Sequence, residues 1–243
     1  MVIVSLTTTP PKMFGLSSSI DKLLFNQTVT PDLVVVNVCD EYSRFNMESI
    51  SLSLKSTSDK VIINPCVDSG PATKLLGLFE TDEIGFHVLN DDDTIIVVDD
   101  DHSYPRYMIE EYLNTFDLIK NDDKTVLGVV GSPMVSLGTR SEKLPLGLTE
   151  WTESRNSNLK KVGVLQGWGS YSMKGAALKK LKEIYTIHHF PNAVFYQDDL
   201  FISNIMNKYF DLRIVQTEKL WHRRSVKDNS RIDSPVVWES NRE

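Results

Sequence analysis

The chain has 243 residues, 41% hydrophobic and 24% charged, with 33 acidic against 26 basic side chains and a formal net charge of −7. A chain of this length buries roughly 70–75% of its unfolded surface, so it needs neither disulfides nor a structural metal to hold together. The acidic balance argues against a nucleic-acid binder, whose phosphate contacts demand a basic face. Cys39 and Cys66 match no metal-ligand spacing and no disulfide framework, and read as buried thiols in a reducing, cytoplasmic compartment. No apolar run approaches the ~20 residues of a transmembrane helix. The first six residues lack the basic start of a leader and read as a core strand.

Short β-branched runs alternate with longer amphipathic patterns. In chain order, 2–6 predicts a strand, 16–25 a helix, 33–38 and 61–63 strands, and 72–79 a helix. Next come a strand at 94–98, a helix at 105–119, strands at 126–130 and 162–165, and helices at 174–184 and 199–209. The strands are almost continuously apolar, as required when both sheet faces are covered. Pro105 suits a first helical turn, where its missing N–H costs nothing, and Ser103 is placed to cap that turn. Such alternation implies an α/β fold with a mostly parallel central sheet flanked by helices. Two stretches break the rhythm. Residues 42–58 are polar and serine-rich, ambiguous between loop and helix. Residues 132–161 carry Gly138, Pro145 and Gly147 and predict a long, functional, partly mobile loop.

Two acidic triplets flank the fourth strand, in Asn90-Asp91-Asp92-Asp93 and Asp99-Asp100-Asp101-His102. Chain direction separates them, because ligands of open α/β sheets bind outside the carboxyl ends of the strands. Asp99, Asp100 and Asp101 leave at that end. Asp91, Asp92 and Asp93 enter the strand and are expected to form a solvated turn. Adjacent carboxylates repel unless a cation or strong hydrogen bonds offset them. A hard divalent ion, Mn²⁺ or Mg²⁺, meets that need and also neutralises a leaving diphosphate. The simpler alternative is a second acidic turn.

From here the sequence resembles a known family. Val97-Val98-Asp99-Asp100-Asp101 is similar to the D-x-D motif of GT-A glycosyltransferases, particularly family-2-like ones. Ser5-Leu6-Thr7-Thr8-Thr9-Pro10 resembles the start of these enzymes, where the first loop meets the nucleotide. Asp68-Ser69-Gly70-Pro71-Ala72-Thr73-Lys74-Leu75-Leu76 resembles a segment of one subgroup. Gly167-Trp168-Gly169-Ser170-Tyr171 stands where the family has a Gly-rich loop beside the donor sugar, and Tyr196-Gln197-Asp198-Asp199-Leu200 where it has its acidic acceptor-site motif. Order and spacing agree over about residues 2–223. The family often has an Arg shortly after the first prolines; this chain has Lys12.

The resemblance implies one GT-A domain over 1–243, with a nucleotide-binding part at about 1–101 and an acceptor-binding part at about 102–243. It implies transfer of a sugar from a nucleotide-diphosphate donor, a UDP-sugar being favoured and a GDP-sugar possible, to a hydroxyl of a glycan or glycoconjugate. The loop 132–161 would shape the acceptor site. Donor contacts fall to Thr7, Thr8, Pro10, Lys74, Asp99, Asp100, Gly167, Trp168 and Gly169. Metal ligands fall to Asp99, Asp101 and His222, since many GT-A enzymes take one from a histidine near the C-terminus. Asp199, second of the acidic pair, becomes the general base of an inverting reaction, with Asp198 beside it.

Each residue has a plainer reading. A lysine on a first helical turn after Gly-Pro reaches a phosphate, or is merely solvated. Two aspartates opening a helix serve as caps. Arg223, Arg224 and Lys227 touch diphosphate or face solvent. His102 reads as a neighbour of the site or a surface residue, and His188 and His189 as structural. Trp151 and Tyr171 are expected in the core, while Trp168, between two glycines, is expected to be exposed. Rival functions are a sugar-nucleotide nucleotidyltransferase, which would carry a Gly-rich, Arg-bearing phosphate loop after the first strand, and a non-catalytic carbohydrate-binding protein. A phosphatase of the D-x-D-x-T type would need Asp91 and Asp93 after a strand, and they precede one.

Overall fold

The computed structural model describes residues 1–39, 41–43, 45, 58–80, 83–85, 87–120, 122–132, 159–187 and 198–215. The chain runs β1 (Val2–Thr7), α1 (Met13–Phe25), β2 (Leu33–Cys39), β3 (Val61–Cys66), α2 (Thr73–Leu76), β4 (Glu83–Ile84), β5 (His87–Val88) and β6 (Thr94–Val97). It continues with α3 (Met108–Leu118), β7 (Thr125–Gly128), β8 (Gly131–Ser132), β9 (Leu159–Lys161), β10 (Val164–Leu165), β11 (Tyr171–Lys174), α4 (Gly175–Ile187), α5 (Asp198–Tyr209) and β12 (Asp211–Val215).

Eight strands form one sheet in the order β3-β2-β1-β6-β11-β7-β12-β9. The first four are mutually parallel. β11 then runs antiparallel to both β6 and β7, β12 is parallel to β7, and β9 closes the far edge antiparallel. The mostly parallel sheet flanked by helices is therefore present, with one reversed strand in its middle.

Both faces of the sheet are covered. On one, Ile3, Val35, Ile95 and Val97 pack against Leu75, Leu178, Ile202 and Met206 of α2, α4 and α5. On the other, Val4, Val36, Ile96 and Val98 pack against Leu16 and Leu23 of α1 and Met108, Tyr112 and Phe116 of α3. Full burial of each such side chain contributes about 1.5–3 kcal/mol, which explains the unbroken apolar runs. The parallel register, with Ser5 beside both Val35 and Val97, brings the loops after β1, β2 and β6 to one sheet edge.

Several expectations need correction. The helix over 72–79 is broken into a 3-10 turn at Gly70–Ala72, one α-turn, and a 3-10 turn at Gly77–Phe79. A buried polar contact lies at the second break. A Cβ on Gly77 would stand 2.5 Å from Asn37 Oδ1, and Asn64 Nδ2 donates to both Asn37 Oδ1 and the Gly77 carbonyl. α3 starts at Met108 rather than Pro105, and no side chain caps it. Ser103 instead accepts a hydrogen bond from Lys22 Nζ at 2.9 Å. Of the strand expected over 162–165, only Val164 and Leu165 are extended, and they pair with β8 outside the main sheet. Asp91 and Asp92 are exposed as expected, but Asp93 is buried and accepts the Asn90 N–H at 2.8 Å. The loop expected over 132–161 lies, for 133–158, outside the described residues, as does most of 42–58. Cys39 and Cys66 are free, buried and cross-strand neighbours. Among the described residues no helix is long and apolar enough to cross a membrane.

α4 begins where a side chain has no room. Gly175 N–H donates to the Asp93 carbonyl at 2.7 Å, and a Cβ there would stand 1.9 Å from the Asn90 carbonyl oxygen. Gly175→Ala is predicted to lose at least about 1–3 kcal/mol, the usual cost of overpacking. Urea unfolding checks this, and unchanged stability would mean that the turn before β6 yields freely.

Candidate functional site

β6 ends at Val97, and Asp99, Asp100 and Asp101 leave it beside the loop that follows β1. The three carboxylates go to three different partners. Asp99 Oδ1 meets Lys74 Nζ at 2.7 Å, while its N–H donates to Tyr104 Oη at 2.7 Å. Asp100 turns inward and is buried; its Oδ2 accepts from Thr8 Oγ1 at 2.7 Å and its Oδ1 lies 3.3 Å from Lys12 Nζ. Burial raises the Asp100 carboxyl, against the pull of Lys12 and the Thr8 bond. Asp101 has both oxygens engaged, Oδ1 at 2.9 Å from His102 Nδ1 and Oδ2 at 2.8 Å from Lys12 Nζ. The His102 bond, with Lys12 behind it, holds this carboxyl well below the usual range.

Lys74 stands on α2 with only 4% of its side chain exposed. Its ammonium contacts Asp99 at 2.7 Å and Asp198 Oδ2 at 3.2 Å. Burial alone would lower its pKa, but Asp99, Asp198 and Asp199 outweigh that and lift it well above the ordinary value. Asp198 and Asp199 open α5, as the sequence suggested. Asp198 Oδ2 is fully buried and faces Lys74 without the alignment of a hydrogen bond. Asp199 Oδ1 accepts the Gly167 N–H at 2.8 Å. Burial, reinforced by the neighbouring Asp198 charge, pushes the Asp199 carboxyl up to about 6.

Gly167, Trp168 and Gly169 form a 3-10 turn that lies directly on this cluster. A Cβ on Gly167 would stand 2.6 Å from Lys74 Nζ and 2.9 Å from Asp199 Oδ1, so the backbone itself packs against the ion pair. Trp168 is half-buried rather than exposed; its Nε1 donates to Gln166 Oε1 at 2.8 Å and its ring lies 5.9 Å from that of His102. Tyr171 is core, as expected, and its hydroxyl has no partner among the described residues.

The structure thus gathers Thr8, Lys74, Asp99, Asp100, Asp101, Gly167, Trp168, Asp198 and Asp199 at one sheet edge. Pro10 is buried in the turn that delivers Lys12. Thr7 Oγ1 donates to the Asn37 carbonyl at 2.9 Å. Lys74 is held by the Asp99 and Asp198 carboxylates. Two residues gain importance. His102, read as peripheral, offers a nitrogen beside Asp99 and Asp101, and the three donor atoms lie within 4.8 Å of one another. Two carboxylate oxygens and one imidazole nitrogen can hold Mn²⁺, and less readily Mg²⁺. Lys12, where the family often has Arg, lies against two of the three aspartates; adjacency to a proline turn was its only signal. His222, Arg223, Arg224, Lys227, Trp151, His188, His189, Tyr196 and Gln197 lie outside the described residues.

No protein-family model matches the chain, and no curated protein matches it. Among solved structures it resembles a 2-C-methyl-D-erythritol 4-phosphate cytidylyltransferase, IspD, of Francisella tularensis. The TM-score is 0.51 and the identity 14%, over 94% of this chain and 95% of that one. It is also similar to S. aureus TarS 1–349, solved in complex with UDP-GlcNAc, with a TM-score of 0.47 and 14% identity, over 88% of this chain and 55% of that one. The fold is GT-A-like, that of nucleotide-diphospho-sugar transferases.

Lys74→Met would leave Asp99 and Asp198 facing each other without a cation. Removing one partner of such a buried pair costs about 3–5 kcal/mol. Urea unfolding followed by circular dichroism should register that loss, and Asp198→Asn added to it should restore part. A loss below about 1 kcal/mol, the scale of a solvent-screened pair, would count against a buried cross-link.

Proposed function

We infer that this chain is a metal-dependent glycosyltransferase, one GT-A domain, that moves a sugar from a nucleotide-diphosphate donor to a hydroxyl of a glycan or glycoconjugate. A UDP-sugar is the favoured donor and a GDP-sugar the second. One observation carries the reading. A single buried lysine joins the acidic segment after β6 to the acidic pair opening α5, with a glycine turn lying on both. A helix cap or an acidic turn needs no such convergence.

The geometry supports the following roles. Asp99, Asp101 and His102, with His222 as a further candidate, would hold Mn²⁺ or Mg²⁺. When bound, that ion neutralises the charge that builds on a departing diphosphate. Asp199 takes the proton of the acceptor hydroxyl as the new bond forms. A carboxyl raised to about 6 suits this task, because it is ionised at neutral pH yet more basic than an ordinary aspartate. Gly167 N–H orients Asp199, and Lys74 holds Asp198 in place beside it. Trp168, beside His102, offers an aromatic face to a sugar ring.

The nucleotidyltransferase reading shares the fold. Against it stands the β1 loop, where Thr8 and Lys12 are both directed at aspartates and no Gly-rich, Arg-bearing segment is present. Product analysis separates the two: glycosyl transfer releases a nucleoside diphosphate, nucleotidyl transfer releases pyrophosphate.

UDP and GDP are expected to bind in Mn²⁺ and to lose affinity in EDTA, as read by calorimetry; equal affinity in both would remove the metal. Asp101→Ala should abolish transfer, whereas Asp92→Ala, on the exposed turn before β6, should leave it nearly intact.

Asp199→Asn keeps shape and capping but not basicity. Donor binding should persist while transfer falls about 10²–10⁴-fold, the range of general base catalysis. In the unaltered chain kcat/KM should rise with pH through about 6, since the base works only when ionised and is protonated below that value. Activity flat across pH 5–7, or a product that keeps the donor's anomeric configuration, would reject the inverting mechanism with this base.

A further inference from the structure

We propose that Lys12 is a resident cation that competes with the divalent ion for Asp101, so that metal uptake depends on the anionic ligand. The inference rests on the metal site read above. Both Asp101 oxygens are already engaged, one by His102 and the other by the Lys12 ammonium at 2.8 Å. His102 can pass from the carboxylate to the ion, because an imidazole nitrogen is itself a ligand. The ammonium cannot; it has no lone pair while charged, and a second cation at the same oxygen repels it.

Lys12 is held on a short leash. It ends the Pro10–Lys12 turn and caps the start of α1, and its side chain is 23% exposed. Asp100 Oδ1, at 3.3 Å, keeps the ammonium at the site when Asp101 is taken away. A diphosphate entering over the same edge brings oxygens that can accept this ammonium. Metal alone leaves Lys12 with only the longer Asp100 contact, whereas metal with diphosphate gives it a new partner. The two ligands therefore bind with positive coupling, and the coupling is reciprocal.

The test is a titration with MnCl₂, following free Mn²⁺ by electron paramagnetic resonance, with and without UDP. Lys12→Met should tighten binding of Mn²⁺ alone by about two- to fivefold, the scale of losing one half-screened charge pair. Lys12→Arg should stay near the parent, because it retains the charge. The ratio of Mn²⁺ affinities with and without UDP should shrink in Lys12→Met. Thermal melts verify folding, and Lys12→Gln replaces Lys12→Met if the latter does not fold. Equal or weaker Mn²⁺ binding by the neutral variant overturns the inference while leaving the metal site standing. Absence of Mn²⁺ binding in both proteins, or binding that Asp101→Asn leaves unchanged, removes the metal site and this inference together.

Discussion

The ammonium of Lys74 lies almost out of water, between a carboxylate from the end of one strand and another from the start of a helix about a hundred residues later. An isolated charge at that depth would lose its proton or unfold its surroundings. Here two carboxylates offset the desolvation and a third, Asp199, adds to the field. The result is a cross-link between the two halves of the sheet edge. Ser5 Oγ donates to the Lys74 carbonyl, and Asn37 Nδ2 donates to Ser5 Oγ, so the same residue is tied to the strands beneath it. α2 is a single turn, tied into this network at Lys74 and followed by the close Asn37–Gly77 contact.

The reversed strand β11 brings the glycine turn to the cluster. It pairs with β6 on one side and β7 on the other, so the turn before it must cross the edge where Asp99 emerges. The crossing is strained. Ser170 has φ of 75°, a backbone region costly for any residue with a side chain, of order 1–3 kcal/mol. Its hydroxyl lies 2.8 Å from Tyr112 Oη and its carbonyl accepts the Val129 N–H, contacts that hold the conformation from two sides. The same turn carries the Gly167 N–H that donates to Asp199.

Electrostatics divides the acidic residues into two groups. Asp100 is buried and bonded to Thr8, so it fixes the loop after β1. Asp99 and Asp101 are less buried and keep donor atoms near His102. Lys12 and Lys74 each bridge carboxylates, so the edge is close-packed with charge yet far from uniformly negative.

The strands β1, β2, β3, β6 and β7, the helices α1, α4 and α5, and the end of β6 at which each acidic triplet lies were legible in the sequence alone. The reason is local: an unbroken β-branched run such as Ile95-Ile96-Val97-Val98 is stable only when buried on both faces, and chain direction then decides which triplet enters the strand and which leaves it. Asp198 and Asp199 opening a helix were legible because carboxylates are favoured at a helix N-terminus. β11 and β12 were not, because Tyr-Ser-Met-Lys and Asp-Leu-Arg-Ile-Val interleave polar and apolar residues and their ladder partners lie far away in the chain. Nor were the partners of Lys74, Lys12, His102 and Asp93. A charged side chain on a turn has the same local pattern whether it meets solvent, a phosphate or a carboxylate. Which one it meets depends on distances of about 3 Å between segments brought together by packing, and only the tertiary structure sets those distances.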